Sequence, residues 1–221
     1  MAERSEAGER AIADQIAYYR ARANEYDEEF AGAHDSALVA ALRDAAPRGR
    51  VLELACGTGA WTESLVSHPV ESILAVDAAP EMLALHAERI IDPRVTRVRA
   101  NLFRWSPPER YDFVTFAFWL SHVPPARFDP FWRTVADSLA DGGRAFFVDQ
   151  DERGLAFEKP SDDADYPTVE RQLQSGAVMS AIKVYHRPAE LQARLARLGW
   201  RSRIEPVQGG LFWGEARPMT A

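Results

Sequence analysis

The feature that most restricts how this 221-residue chain can fold is the run Val51-Leu52-Glu53-Leu54-Ala55-Cys56-Gly57-Thr58-Gly59-Ala60-Trp61-Thr62, followed by Ser72-Ile73-Leu74-Ala75-Val76-Asp77. A short apolar run with one acid near its end reads as a buried strand. Gly57 and Gly59 stand where the chain must leave that strand and enter a helix. Glycine permits the tight turn and lets a ligand come close to the backbone. Asp77 follows Gly57 by 20 positions. In a strand–helix–strand unit that spacing puts its carboxylate at the tip of the next strand, within reach of a ribose diol. The pattern predicts an adenosine-containing cofactor.

Two cofactors suit this geometry. The dinucleotide fingerprint G-x-G-x-x-G/A needs a small third residue for helix–strand packing and sets a pyrophosphate on the helix N-terminus. Here the third position is Thr62, preceded by the bulky Trp61. The run Glu53-Leu54-Ala55-Cys56-Gly57-Thr58-Gly59 instead resembles E/D-x-x-x-G-x-G, the first motif of class I S-adenosylmethionine (SAM)-dependent methyltransferases. SAM has no phosphate to place on a helix; it carries an ammonium and a carboxylate. The resemblance implies that Ala55, Gly57 and Gly59 lie against the methionine and ribose portion, with Glu53 helping to neutralise the ammonium side.

The likeness extends over roughly residues 15 to 217. Asp77-Ala78-Ala79-Pro80-Glu81-Met82-Leu83 resembles the family's second strand end. It implies Asp77 and Ala78 at the ribose and Met82 on the adenine face. Asn101-Leu102-Phe103 stands where the family often has Asp-Leu, and the resemblance puts the Asn101 side chain on the adenine amino group. Asparagine supplies an acceptor oxygen as aspartate does, without the charge. The stretch Tyr111 to Val123, with Phe118 in the expected cofactor contacts, resembles the fourth strand and its acceptor-side loop. Leu139 to Asp149 resembles the L-x-P-G-G turn and fifth strand, with Asp141 where proline is usual.

A net charge of −7 argues against a nucleic-acid or anionic-membrane partner. It leaves room for a small acidic acceptor met in a local basic pocket, or any other small acceptor molecule. The single cysteine, Cys56, excludes an intrachain disulfide, fits a reducing cytoplasm, and reads as a small packing residue. The histidines at 34, 68, 86, 122 and 186 are too dispersed for a sequential metal pair, so no metal is expected. The polar stretch Ala2 to Gln15 holds no signal-peptide core, and the longest apolar run, Phe113 to Leu120, is too short to span a bilayer.

Periodicity predicts helices over 9–31, 38–45, 60–67, 80–91, 125–139 and 188–198, and strands over 50–55, 72–77, 95–100, 111–117, 144–149, 200–206 and 211–216. The alternation argues for an α/β, Rossmann-like architecture with helices on both faces of a mostly parallel sheet. The resemblance makes that sheet seven-stranded, with an antiparallel edge. One domain is expected over 1–221: a helical cap (1–46), a SAM-binding core (47–150), and an acceptor-side region with the last strands (151–221). Residues 169–174 and 179–185 flank Ser175-Gly176 as a hairpin, and 151–168 reads as a surface loop or a lid over the acceptor.

On the first helix, Tyr19, Arg22 and Tyr26 share a face. The resemblance gives them the SAM carboxylate; the plainer reading is a helix packing its aromatics. His122, just past the fourth strand, is the general-base candidate, because an imidazole titrates near neutrality. His186 is second. Phe118, Trp119, Tyr185 and Trp213 are candidates for an apolar acceptor pocket. The expectation is SAM-dependent methyl transfer to O, N or S of a small molecule, yielding S-adenosylhomocysteine (SAH). The alternatives are a nicotinamide oxidoreductase and a SAM-binding protein that does not methylate.

Overall fold

In the computed structural model, residues 2–29, 35–156 and 158–219 are described. Phe30, Ala31 and His34, which entered the sequence reading, lie outside them. The strands are β1 (Gly49–Leu54), β2 (Val70–Asp77), β3 (Val95–Arg99), β4 (Tyr111–Ala117), β5 (Leu139–Gln150), β6 (Thr168–Gln172), β7 (Val178–Ile182), β8 (Trp200–Val207) and β9 (Leu211–Pro218). The α-helices are α1 (Ala2–Ala21), α2 (Tyr26–Glu29), α3 (Ser36–Ala45), α4 (Ala60–Val66), α5 (Pro80–Arg89), α6 (Phe128–Ser138) and α7 (Pro188–Arg197). Seven strands form one sheet in the order β3-β2-β1-β4-β5-β9-β8. β1 to β5 pair in parallel, and β9 runs antiparallel to both β5 and β8. The last hairpin therefore builds the antiparallel edge. The outermost strand, β8, tolerates Pro206 because an edge strand has a side on which no ladder donor is needed.

Alternation along the strands splits the core into two layers. Phe113 and Phe146 face one layer with Leu38 and Leu42 of α3 and Trp61 and Leu65 of α4. Their chain neighbours Val114 and Phe147 face the other, with Phe128, Phe131 and Trp132 of α6 and Leu191 and Leu195 of α7. A strand that must bury both pleats reads as a continuous apolar run, which is what β4 and β5 show.

Local signals explain three helix starts. Asp35 caps α3, its carboxylate accepting from the Ala37 and Leu38 N–H groups at 2.8 and 3.2 Å. Pro80 and Pro188 open α5 and α7 at positions where no amide donor is required.

The first helix begins at Ala2 rather than at 9, and three other departures bear on the site. The first helix breaks at Arg22, continues as a 3-10 turn over Ala23–Glu25, and resumes as α2. The predicted helix at 125–139 begins instead as a 3-10 turn over Pro125–Arg127, and Leu139 leaves it to pair with Tyr111, starting β5 five residues early. Gly143 allows that entry: a Cβ there would sit 2.9 Å from the Ala140 carbonyl oxygen. The predicted hairpin is present as β6–β7, but its second strand stops at Ile182, where Gln15 of α1 accepts the Ile182 N–H at 3.1 Å.

Candidate active site

The C-terminal tips of β1, β2 and β4 open onto a cavity of about 650 Å³, counting its mouth. This is the edge at which open parallel sheets bind ligands. From the tips and the turns after them come Ala55, Gly57, Asp77, Ala78, Ala79, Ala117, Phe118 and Trp119. Met82 comes from α5, Asn101, Leu102 and Phe103 from the turn after β3, and His122 from the loop beyond β4. The cap adds Gln15, Ile16, Tyr19 and Tyr26. Gln15, Ile16, Ala79, Phe103 and Ala117 were not expected there. Gln15 and Ile16 precede Tyr19 by four and three positions, one helical turn, which was the available signal.

The backbone at the cavity is held in uncommon conformations. Ala55 and Phe118 have φ of 53° and 52°, and Gly57 has φ of 53°. A Cβ added at Gly57 would meet nothing within 4 Å, so there the backbone faces open space, as a cradle for a ligand would. Asp77 accepts from the Gly57 N–H at 3.0 Å and from the Ala79 N–H at 2.8 Å, tying two cavity turns together. Burial raises its carboxyl above the ordinary range, and the backbone donors pull it back. Asn101 Oδ1 accepts from the Phe103 N–H at 3.0 Å, so one lone pair of the oxygen expected at the adenine is already held locally.

His122 Nδ1 lies 2.7 Å from the Ile182 carbonyl oxygen, and Nε2 lies 2.8 Å from Tyr19 Oη. A carbonyl only accepts, so Nδ1 carries the proton. Nε2 then accepts from the Tyr19 hydroxyl. Gln15 braces the pair, donating to the His122 carbonyl at 3.3 Å. Burial, then the charges of Lys183, Arg171 and Arg22, hold the imidazole well below 6.5 and therefore neutral. Burial likewise lifts the phenols of Tyr19 and Tyr26.

Several expected residues are elsewhere. Arg22 is buried beside the cavity: its guanidinium lies 5.4 and 5.2 Å from the ring centres of Tyr18 and Tyr26 and donates to Tyr18 Oη. Glu53 is turned into the protein, where its Oε2 accepts from Thr62 Oγ1 at 2.6 Å. Gly59 caps α4, against His86 and Ile90. His186 packs on Phe128 and does not line the cavity. Trp213 stacks on Phe146 across the β5–β9 pair, and Tyr185 packs on Gly154. None of the described residues of 151–168 lines the cavity; α1 covers it instead. Cys56 is buried in the apolar layer with Trp61 and Phe118.

The cavity offers acceptor groups at Asp77 and Asn101 between apolar walls, which suits a ribose diol and an adenine. A mostly parallel sheet with such a site at its strand tips defines a Rossmann-like fold suited to a nucleoside cofactor. The family model described as "Methyltransferase domain" matches residues 51–143. The ubiquinone biosynthesis O-methyltransferase of Xanthomonas campestris pv. campestris is 30% identical over 182 residues, 78% of this chain and 70% of that protein. The structure of DhpI in complex with SAH is 38% identical, covers 96% of this chain and 98% of its own, and superposes with a TM-score of 0.84. DhpI in complex with SAM and HEP is 40% identical, with 94% and 98% coverage and a TM-score of 0.82. The chain belongs to the class I SAM-dependent methyltransferases, and it methylates small molecules. These matches favour SAM over the nicotinamide alternative. Among the described residues, no helix is long and apolar enough to cross a membrane.

Proposed function

We propose that this methyltransferase delivers its methyl group to an oxygen of a small acceptor held between α1 and the loop after β4. The observation that carries this reading is the Tyr19–His122 pair, which brings a polarised hydroxyl to the cavity. In this reading Asp77 takes the ribose hydroxyls, and Met82, Leu102 and Phe118 enclose the adenine with Asn101 at its edge. Ala55, Gly57 and Ala78 pass along the ribose and methionine portion, and Tyr26 closes that side from the cap. SAM, when bound, supplies a methyl group on a sulfonium, already a strong electrophile. What the protein adds is alignment, exclusion of water and removal of the acceptor's proton.

Because Tyr19 donates to His122, its oxygen turns lone pairs toward the cavity. A hydroxyl acceptor donates to Tyr19 Oη. As the acceptor oxygen gains the methyl, its proton passes to Tyr19 Oη and the Tyr19 proton passes to His122 Nε2. His122 thus serves as general base at one remove. The relative named as an O-methyltransferase supports an oxygen acceptor, and the DhpI complex with SAM and HEP supports a small molecule in that place.

Calorimetric titration with SAH, with NADH as the control, tests the cofactor assignment; turnover of SAM with HEP then tests the acceptor. SAH binding accompanied by methylated HEP is the expected result. Binding of NADH alone would remove the reading, and SAH binding without methylation of any small oxygen acceptor would return the chain to the non-methylating alternative.

A further inference from the structure

We infer that Thr62 is a positioning residue for cofactor binding, acting through Glu53 on the turn that lines the cavity. This inference rests on the assignment of that cavity to SAM.

A single hydrogen-bonded chain crosses the protein from β3 to β1. Arg97 Nε on β3 lies 2.8 Å from His86 Nδ1 on α5. A guanidinium only donates, so Nδ1 accepts. Burial, together with the Arg97 and Arg89 charges, lowers the His86 imidazole to about 4, so the ring is neutral and its one proton is on Nε2. That N–H donates to Thr62 Oγ1, 2.9 Å away at the start of α4. The Thr62 hydroxyl then has its own proton for Glu53 Oε2, at 2.6 Å. Arg97 thus sets the direction of the first two bonds, and the Thr62 hydroxyl proton is left for Glu53. Glu53, Thr62 and His86 are 1%, 0% and 0% exposed, so the bonds form away from water, where they polarise one another.

The series ends on the strand that leads directly into the cavity turn. Two residues after Glu53, Ala55 enters the left-handed region at φ 53°, and Gly57 repeats it. Both line the cavity. A non-glycine residue in that conformation persists only where its surroundings over-determine it. On one side the turn is held by β2, with the Cys56 N–H on the Val76 carbonyl at 3.1 Å and the Gly57 N–H on Asp77 at 3.0 Å. On the other side β1 pairs with β4, Glu53 lying opposite Thr115, and the Glu53 side chain that precedes the turn is fastened by Thr62. Thr62 also occupies the place where the dinucleotide fingerprint has glycine or alanine. Its hydroxyl gives that departure a purpose: the small residue there serves close packing, whereas threonine serves a hydrogen bond across it.

The test is SAH affinity by calorimetry, alongside thermal unfolding, for wild type, Thr62→Val and Thr62→Ser. Valine keeps the volume and removes the hydroxyl; serine keeps the hydroxyl and removes a methyl. Thr62→Val is expected to weaken SAH about tenfold and Thr62→Ser to stay within about twofold of wild type. Arg97→Met, which cuts the series at its half-buried end, is expected to weaken SAH in the same direction and decides the matter if Thr62→Val does not fold. Unchanged affinity in a folded Thr62→Val, an equal loss in Thr62→Ser, or unchanged affinity in Arg97→Met when only that variant folds would each overturn the inference. Failure of the wild type to bind SAH would instead remove the cofactor reading beneath it.

Discussion

Tyr19 Oη lies 2.8 Å from His122 Nε2, with the opposite ring nitrogen 2.7 Å from the Ile182 carbonyl oxygen. Sequence reasoning put both residues at the ligand, Tyr19 with the cofactor and His122 with the acceptor. The fold makes them one unit, because α1 lies over the loop after β4 and Gln15 clamps the crossing.

This pairing fixes an expected pH dependence. Burial and nearby cations keep His122 neutral until well below 6.5, and the neutral ring is the form that can take a proton. With a hydroxyl acceptor that the enzyme turns over, kcat is expected to be level above about pH 6.5 and to fall in acid, with Tyr19→Phe lowering the plateau about a hundredfold. His122→Ala should abolish the acid limb. A Tyr19→Phe enzyme with wild-type kcat would sink the relay, as would an acid limb that survives in His122→Ala.

Asp77 joins two turns through its 3.0 Å and 2.8 Å bonds to the Gly57 and Ala79 amides. Asp77→Ala is expected to weaken SAH by about 1–3 kcal/mol, the cost of leaving buried polar partners unpaired. Calorimetry reads this directly, and an unaltered affinity would mean that the ribose lies elsewhere.

Glu53 links stability to pH with a definite sign. Burial raises its carboxyl from 4.5 to about 8, so its unfolded form releases a proton at lower pH than its folded form does. Between those values the folded state binds more protons, so this group's contribution is complete below pH 4.5 and is lost as pH rises toward 8. Glu53→Gln cannot ionise. Its stability relative to wild type is therefore expected to rise between pH 5 and pH 8, by at most about 4 kcal/mol. Urea unfolding at the two pH values measures this, and a difference independent of pH would show that Glu53 titrates alike in both states.

Trp132 is 1% exposed, and its ring meets Phe116, Phe147 and Trp200 edge-on with centres 5.8, 5.4 and 5.0 Å away. Truncation removes the hub between α6, the sheet and β8. Trp132→Ala is expected to cost about 3–5 kcal/mol in denaturant unfolding. A loss below about 1 kcal/mol would show that the layer collapses around the gap.

The sequence by itself determined the strand–helix alternation and the glycine turn, because both are written in neighbouring residues. Buried strands show as apolar runs, turns as glycine and proline, and the cofactor edge as carboxyl and amide groups at strand ends. Only the tertiary structure decided the direction in which polar groups point and what they meet. Glu53 and Asp77 look alike as acids near strand ends, yet one is bonded to Thr62 in the interior and the other borders the cavity. Arg22 and Tyr19 share a helix face, but the break at Arg22 turns its guanidinium onto two tyrosine rings. His122 could have been an exposed imidazole; burial and nearby cations keep it neutral, and contacts 103 and 60 residues distant in the chain fix its tautomer. Hydrophobic periodicity is a property of neighbours in sequence, whereas a hydrogen bond between buried polar groups is settled by elements that meet only when the whole sheet has formed.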